Sequence, residues 1–159
     1  MKFQVSPYFL ITQNAEGLKK LYEELFGAKT LYIQRIKDRP IDKKLNIDEN
    51  DLNKIDQCVL QFGDIKIMIA DDTEGLPITQ GNNISLCLTF DQVEETKHVY
   101  DQLIEKGSEV LKTFSPEFYT EGYGYVRDPY GISLHLFTKR KKLGSAAKLK
   151  NKCLISILK

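Results

Sequence analysis

Hydrophobic and polar positions along this chain alternate with two periods, and the periods succeed each other in the same order twice. Phe3–Thr12, rich in Phe, Val, Tyr, Leu and Ile, reads as a strand. Leu18, Leu21, Tyr22 and Leu25 then fall at helical spacing, with Phe26 broadening the stripe. Asn14 supplies the N-cap, Glu16 an acid in the first turn, and Gly27 the stop. Lys29–Ile36 reads as a second strand. Lys37–Lys54 is polar, mixed in charge and interrupted by Pro40, which predicts a long loop with a helical turn near Glu49–Lys54. Cys58–Phe62 and Ile65–Ala70, separated by Gly63-Asp64, form a hairpin. Asp71–Asn83, with Gly75, Pro77 and Gly81, is a linker.

The order then restarts. Ile84–Phe90 is a strand. Asp91 caps a helix whose stripe is Val93, Val99, Tyr100, Leu103 and Ile104, and Gly107 ends it. Glu109–Phe114 is a strand, and Ser115–Gly122, with Pro116, a loop. A final hairpin runs from Tyr123 to Phe137. Its turn is Asp128-Pro129-Tyr130-Gly131: Asp bonds the backbone two residues on, Pro presets φ, and Gly closes without a clash. Period two then puts Ile132, Leu134 and Leu136 on one face and Ser133, His135 and Phe137 on the other.

The halves also match in detail. Tyr22-Glu-Glu-Leu-Phe parallels Tyr100-Asp-Gln-Leu-Ile, and Gly63-Asp-Ile-Lys-Ile-Met-Ile parallels Tyr130-Gly-Ile-Ser-Leu-His-Leu, with Met68 in the place of His135. The expected fold is α+β: two tandem βαβββ modules, about 3–71 and 84–138, forming a curved mixed sheet with helices on its outer face. Such a sheet can enclose a pocket. Residues 139–159 form a separate basic tail.

Composition is ordinary for a globular chain, with 42% hydrophobic and 28% charged residues. The net charge of +1 hides an asymmetry: 139–159 holds eight Lys or Arg and no acid, leaving 15 basic against 22 acidic residues elsewhere. An acidic body lacks the footprint of a nucleic-acid binder. The tail has a short amphipathic stripe (Leu149, Cys153, Leu154, Ile157, Leu158) and could touch a partner or an anionic surface; a frayed end is the plainer reading. Met-Lys-Phe-Gln-Val lacks an apolar core with a cleavage site, and no run reaches membrane-spanning length, so a cytoplasmic location is expected. Cys58, Cys87 and Cys153 are too few and scattered for a disulfide framework; Cys58 and Cys87, in apolar strands, read as buried reduced thiols.

His135 is the strongest candidate for chemistry, as an orienting hydrogen-bond partner or a proton carrier near neutral pH. His98 falls on a helix face without a partner at ligand spacing. Tyr8, Phe118, Tyr119, Tyr123 and Tyr125 form an aromatic set suited to a flat or apolar molecule, or to ordinary sheet packing. Glu117 and Glu121 flank a loop and could hold a cation or act as a base, although solvated loop carboxylates are the plainer reading. Arg127 could meet an anion, although a local salt bridge is simpler. Asp71-Asp72 could bind a hard ion weakly, or be a solvated turn. No phosphate-cradling glycine loop and no nucleophile elbow occur.

The doubled βαβββ order and the Asp-Pro-Tyr-Gly turn resemble the vicinal oxygen chelate superfamily of glyoxalase I, bleomycin-resistance proteins and extradiol dioxygenases, and within it the PhnB-like group. Ser6-Pro7-Tyr8-Phe9-Leu10, Leu25-Phe26-Gly27-Ala28, Gly81-Asn-Asn-Ile-Ser-Leu and Tyr123-Gly-Tyr-Val-Arg-Asp-Pro-Tyr-Gly-Ile-Ser carry the likeness, over about Phe3–Thr138. Metal-dependent members of that family place a ligand, usually His or Glu, on the first and last strand of each module. Matched strand for strand, those places fall at or near Pro7, Met68, Asn83 and His135. Only His135 is a good ligand for a divalent ion. The resemblance therefore implies a homodimeric small-molecule binder with no metal and no other cofactor, its ligand-binding residues being His135, Tyr8, Asn83, Met68, Tyr119, Tyr123 and Tyr125. A metal-dependent lyase, transferase or dioxygenase-type enzyme is the alternative, and an interaction module acting through the tail a third.

Overall fold

A computed structural model describes residues 3–140 except 13, 41–46, 74 and 76. The basic tail beyond Arg140, with Cys153 and its amphipathic stripe, lies outside the described residues. The described chain divides into two compact units: one within residues 3–84 with the turn 128–132, the other of residues 85–127 and 133–140.

In the first unit the order is β1 (Tyr8–Ile11), α1 (Ala15–Phe26), β2 (Lys29–Arg35), β3 (Ile55–Phe62) and β4 (Ile65–Asp71). The sheet order is β1-β4-β3-β2, with β1 parallel to β4 and the other pairs antiparallel. Helix α1 starts and stops where its punctuation predicts. The Asn14 side chain accepts from Gly17 N at 2.9 Å, and Gly27 takes the left-handed conformation, φ 63°, that ends a helix without a Cβ penalty. Leu18, Leu21 and Tyr22 are buried, and the Tyr22, Phe26 and Phe62 rings pack mutually at 5.1–5.3 Å. Among the described residues, the predicted loop after β2 contains two short 3-10 turns, Ile36–Asp38 and Glu49–Asp51.

The second unit repeats the plan with β5 (Leu86–Phe90), α2 (Val93–Glu105), β6 (Glu109–Glu117), β7 (Thr120–Arg127) and β8 (Ser133–Thr138), in sheet order β5-β8-β7-β6. The match is residue by residue: Tyr8 pairs Met68 in the first parallel ladder, and Cys87 pairs His135 in the second. The fold is thus α+β, two four-stranded mixed sheets each with one helix, as tandem βαβββ modules require.

Three local expectations change. Asp91 does not cap α2. Gln92 occupies that position without a side-chain bond, and Asp91 meets Lys139 Nζ at 3.3 Å. The buried stripe of α2 is Thr96, Val99, Tyr100 and Leu103, while Ile104 is exposed. Thr96 can be buried because its hydroxyl meets Thr138 Oγ1 at 2.7 Å. Finally, Ser115–Gly122 is not a loop. Strand β6 runs through Pro116 to Glu117, turns tightly, and β7 begins at Thr120. Several register shifts in β6 break the alternation that would have revealed this.

Strand β7 lies against α2 through Gly124. A Cβ on Gly124 would stand 2.6 Å from Tyr100 Cδ2. Gly124→Ala is therefore expected to lower stability by about 1–3 kcal/mol, read as a fall in the urea midpoint, because the ring must leave its place.

Candidate functional site

On β8 the alternation places Leu134 and Leu136, both fully buried, toward the helix side, and Ser133, His135 and Phe137 on the opposite face. On β7, Tyr123 and Tyr125 share that face, because Tyr125 pairs His135 and Tyr123 pairs Phe137 in the antiparallel ladder. The direct cross-strand partners His135 and Tyr125 stack with ring centroids 4.0 Å apart and planes 4° apart. Tyr123 Oη lies 2.7 Å from His135 Nδ1. Phe137 packs on Tyr123 at 4.7 Å, and Tyr119, at the tip of the β6–β7 hairpin, reaches both at 6.0 Å. Phe118 extends the row at 4.8 Å from Tyr119 and is 88% exposed.

Burial holds the His135 imidazole below its ordinary value of 6.5, so the ring is neutral at pH 7. Burial also raises the Tyr123 phenol, with Tyr119 adding to the rise and Lys112 opposing it, so that hydroxyl keeps its proton. The Tyr123 bond fixes the ring through Nδ1. Among the described residues Nε2 has no hydrogen-bond partner. It is free to accept when the shared proton sits on Nδ1, and to donate when Tyr123 supplies it. Ser133, two residues before His135, is 3% exposed, and its hydroxyl has no partner among the described residues. Such buried groups are uncommon.

The remaining candidates sort by unit. Tyr119, Tyr123, Tyr125 and His135 come together on one sheet. Tyr8 and Met68 pair in the first unit, with Tyr8 exposed and Met68 half-buried. Asn83 is exposed and precedes β5; the residue opposite His135 in the parallel register is Cys87. His98 is exposed on α2. Arg127 makes the simpler contact, a salt bridge to Glu109 at 2.9 Å, and Glu117 pairs with Lys112. Asp71 is neither an ion site nor a solvated turn. It is 5% exposed and accepts from Ala15 N at 2.8 Å and Ile55 N at 2.7 Å. Cys87 is not buried, unlike Cys58: Leu86, Leu88 and Phe90 take the covered side of β5, leaving Cys87 and Thr89 on the exposed side.

Two contributors escaped the sequence. Lys112 Nζ stands 5.1 Å from the centre of the Tyr123 ring, a cation–π contact hidden by the shifted register of β6. Cys87 was masked by its apolar neighbours, although its parity with Thr89 against Leu86 and Leu88 carried the signal.

A family model for the Glyoxalase/Bleomycin resistance protein/Dioxygenase superfamily matches residues 4–136. The chain belongs to that superfamily. Among solved structures it is similar to protein PA1353 from Pseudomonas aeruginosa, with 19% identity, 88% of this chain and 100% of that one covered, and TM-score 0.75. It is also similar to a PhnB protein from Bacillus cereus described as a putative 3-demethylubiquinone-9 3-methyltransferase, with 19% identity, 86% and 100% covered, and TM-score 0.68. A third likeness is to the fosfomycin resistance protein FosX from Mesorhizobium loti, with 13% identity, 94% and 98% covered, and TM-score 0.58. At these identities the likeness is one of fold. No curated protein matches the chain.

The superfamily includes metal-dependent members, so the donor set of this chain decides whether an ion would fit. The Pro7 carbonyl is taken by Met68 N at 2.8 Å. Met68 offers a thioether, Asn83 a neutral amide off the strand, and His135 one ring nitrogen, its other being held by Tyr123. Among the described residues no three His, Cys, Asp or Glu cluster as ligands. These residues do not fit a divalent catalytic ion.

Proposed function

We propose that this superfamily member binds a flat, mainly apolar small molecule on the aromatic face of its second sheet, with His135 as polar anchor and no metal. The observation that carries this reading is the His135 ring, held by Tyr123 at 2.7 Å and stacked on Tyr125 at 4.0 Å with Nε2 still available. Aromatic walls with one or two placed polar groups are how proteins hold such ligands. Tyr8 and Met68, paired on the sheet of the first unit, and Asn83 are proposed as ligand-binding residues of that unit by itself. A metal-dependent lyase, transferase or dioxygenase would need donors these places do not offer. The proposed unit is residues 1–138 working as a homodimer in the cytoplasm, with 139–159 a separate tail. Exposed Phe3, Val5 and Ile84 supply apolar surface for a second copy, and no described helix is long and apolar enough to cross a membrane.

Calorimetric titration with 2-naphthol, against its saturated non-planar counterpart decahydro-2-naphthol, tests the reading. The planar probe is expected to bind, and His135→Ala or Tyr125→Ala to weaken it about tenfold or more. Equal affinity for both probes, or an unchanged Kd in both variants, would sink it. Metal analysis of protein purified without chelator is expected to find no stoichiometric zinc, nickel, manganese or iron.

A further inference from the structure

The parallel register makes Cys87 the direct partner of His135 on the neighbouring strand. Neighbouring strands lie roughly 4.8 Å apart, and register partners share a face. Leu86 pairs Leu134 and Leu88 pairs Leu136, so Cys87 and His135 both stand on the side away from the buried leucines. Cys87 is exposed, and its thiol lies 4.0 Å from the Thr89 hydroxyl. To meet the imidazole the sulfur has to leave Thr89 by a χ1 rotation to another staggered rotamer. Cys58 is its internal contrast: fully buried, with a thiol that burial pushes up to about 11.

We propose that Cys87, His135 and Tyr123 form a nucleophilic thiol site for planar conjugated carbonyl electrophiles, quinones above all. A nucleophile beside a base that a third group orients is the arrangement that activates a weak nucleophile. The inference rests on the reading of this face as a platform for flat molecules. Tyr123 accepts from Nδ1–H, which leaves the Nε2 lone pair to take the Cys87 proton. The sulfur pair then forms a bond to the ring carbon β to the carbonyl, and the C=C pair moves to the carbonyl oxygen. That oxygen takes the proton back from Nε2–H. A second proton shift within the adduct gives the hydroquinone thioether, so no outside oxidant or reductant is consumed. Phe137, on β8 and packed on Tyr123, and Tyr125, on β7 and stacked on His135, continue this face one and two strands away from Cys87.

The full chain is treated at pH 7 with 1,4-benzoquinone and, separately, with iodoacetamide, which is small and not planar. Peptide mapping by mass spectrometry reads Cys58, Cys87 and Cys153 individually, with glutathione as the unassisted thiol. Cys87 is expected to show a quinone-to-iodoacetamide rate ratio about tenfold above that of glutathione. His135→Gln is expected to slow both reagents about fivefold or more, and Tyr123→Phe, which removes only a hydroxyl, to slow them less. A glutathione-like ratio, or unchanged rates in a folded His135→Gln protein, overturns the proposal. Cys87→Ser separates it from the binding reading. If that variant still binds 2-naphthol while wild-type Cys87 reacts like glutathione, only the thiol site is lost. If the wild type binds no 2-naphthol, the platform is lost and the thiol site with it.

Discussion

Asp71→Ala is expected to cost on the order of 3–5 kcal/mol, seen as a large fall in the urea midpoint. The carboxylate is buried at the end of β4 and is shared by two backbone donors that are themselves buried, Ala15 N and Ile55 N. Removing it strands both donors, and each hydrogen bond to a charged group contributes about 1.5–3 kcal/mol. Ala15 is the first residue of α1, so the acid also sits against the positive end of the helix dipole. Asp71→Asn should recover little, because its amide nitrogen would face one of the two N–H groups. A loss below about 1 kcal/mol for the alanine variant would contradict this assignment. The second module solves the same problem differently: at the corresponding place, Thr138 meets Thr96 of α2 and its carbonyl accepts from Thr120.

Asp128→Ala is expected to cost about 2–4 kcal/mol for related reasons. Asp128 is 3% exposed and accepts from Tyr22 Oη at 3.0 Å and from Tyr130 N and Ile132 N at 2.9 Å. Here the pH dependence is diagnostic. Burial raises the carboxyl above its usual 3.8, outweighing the lowering by its hydrogen bonds. The folded state therefore binds this proton more tightly than the unfolded chain does. The associated stability is fully present below 3.8 and declines as pH rises through the raised value. His135 has the opposite sign: its imidazole is lowered, so its contribution is present above 6.5 and is lost as pH falls through the folded value. Urea midpoints followed from pH 3 to 6 should thus show the Asp128 decline in the wild type, and its removal in Asp128→Asn. Parallel curves would show that Asp128 titrates as it does in the unfolded chain.

These acids bear on function because they change what the site is made of. Asp71 has the charge of an ion ligand, but its oxygens are already committed to α1 and β3. Glu117 is committed to Lys112 and Arg127 to Glu109. Three features of the aromatic face carry no charge: the second nitrogen of His135, the Cys87 thiol and a row of rings.

The chain's own order of residues determined the doubled βαβββ plan, the caps of α1, the Asp128 turn and the side of β8 on which His135 stands. Each is set by contacts within a few residues, where period, capping and turn chemistry act. Tertiary structure alone decided that Asp71 anchors a helix start 56 residues away, that Thr96 is buried by Thr138, that Lys112 covers Tyr123 across a bulged strand, and that Cys87 lies opposite His135. Those outcomes depend on which strands become neighbours and in what register, and a polar atom's partner is chosen there by proximity in space, which local periodicity does not encode.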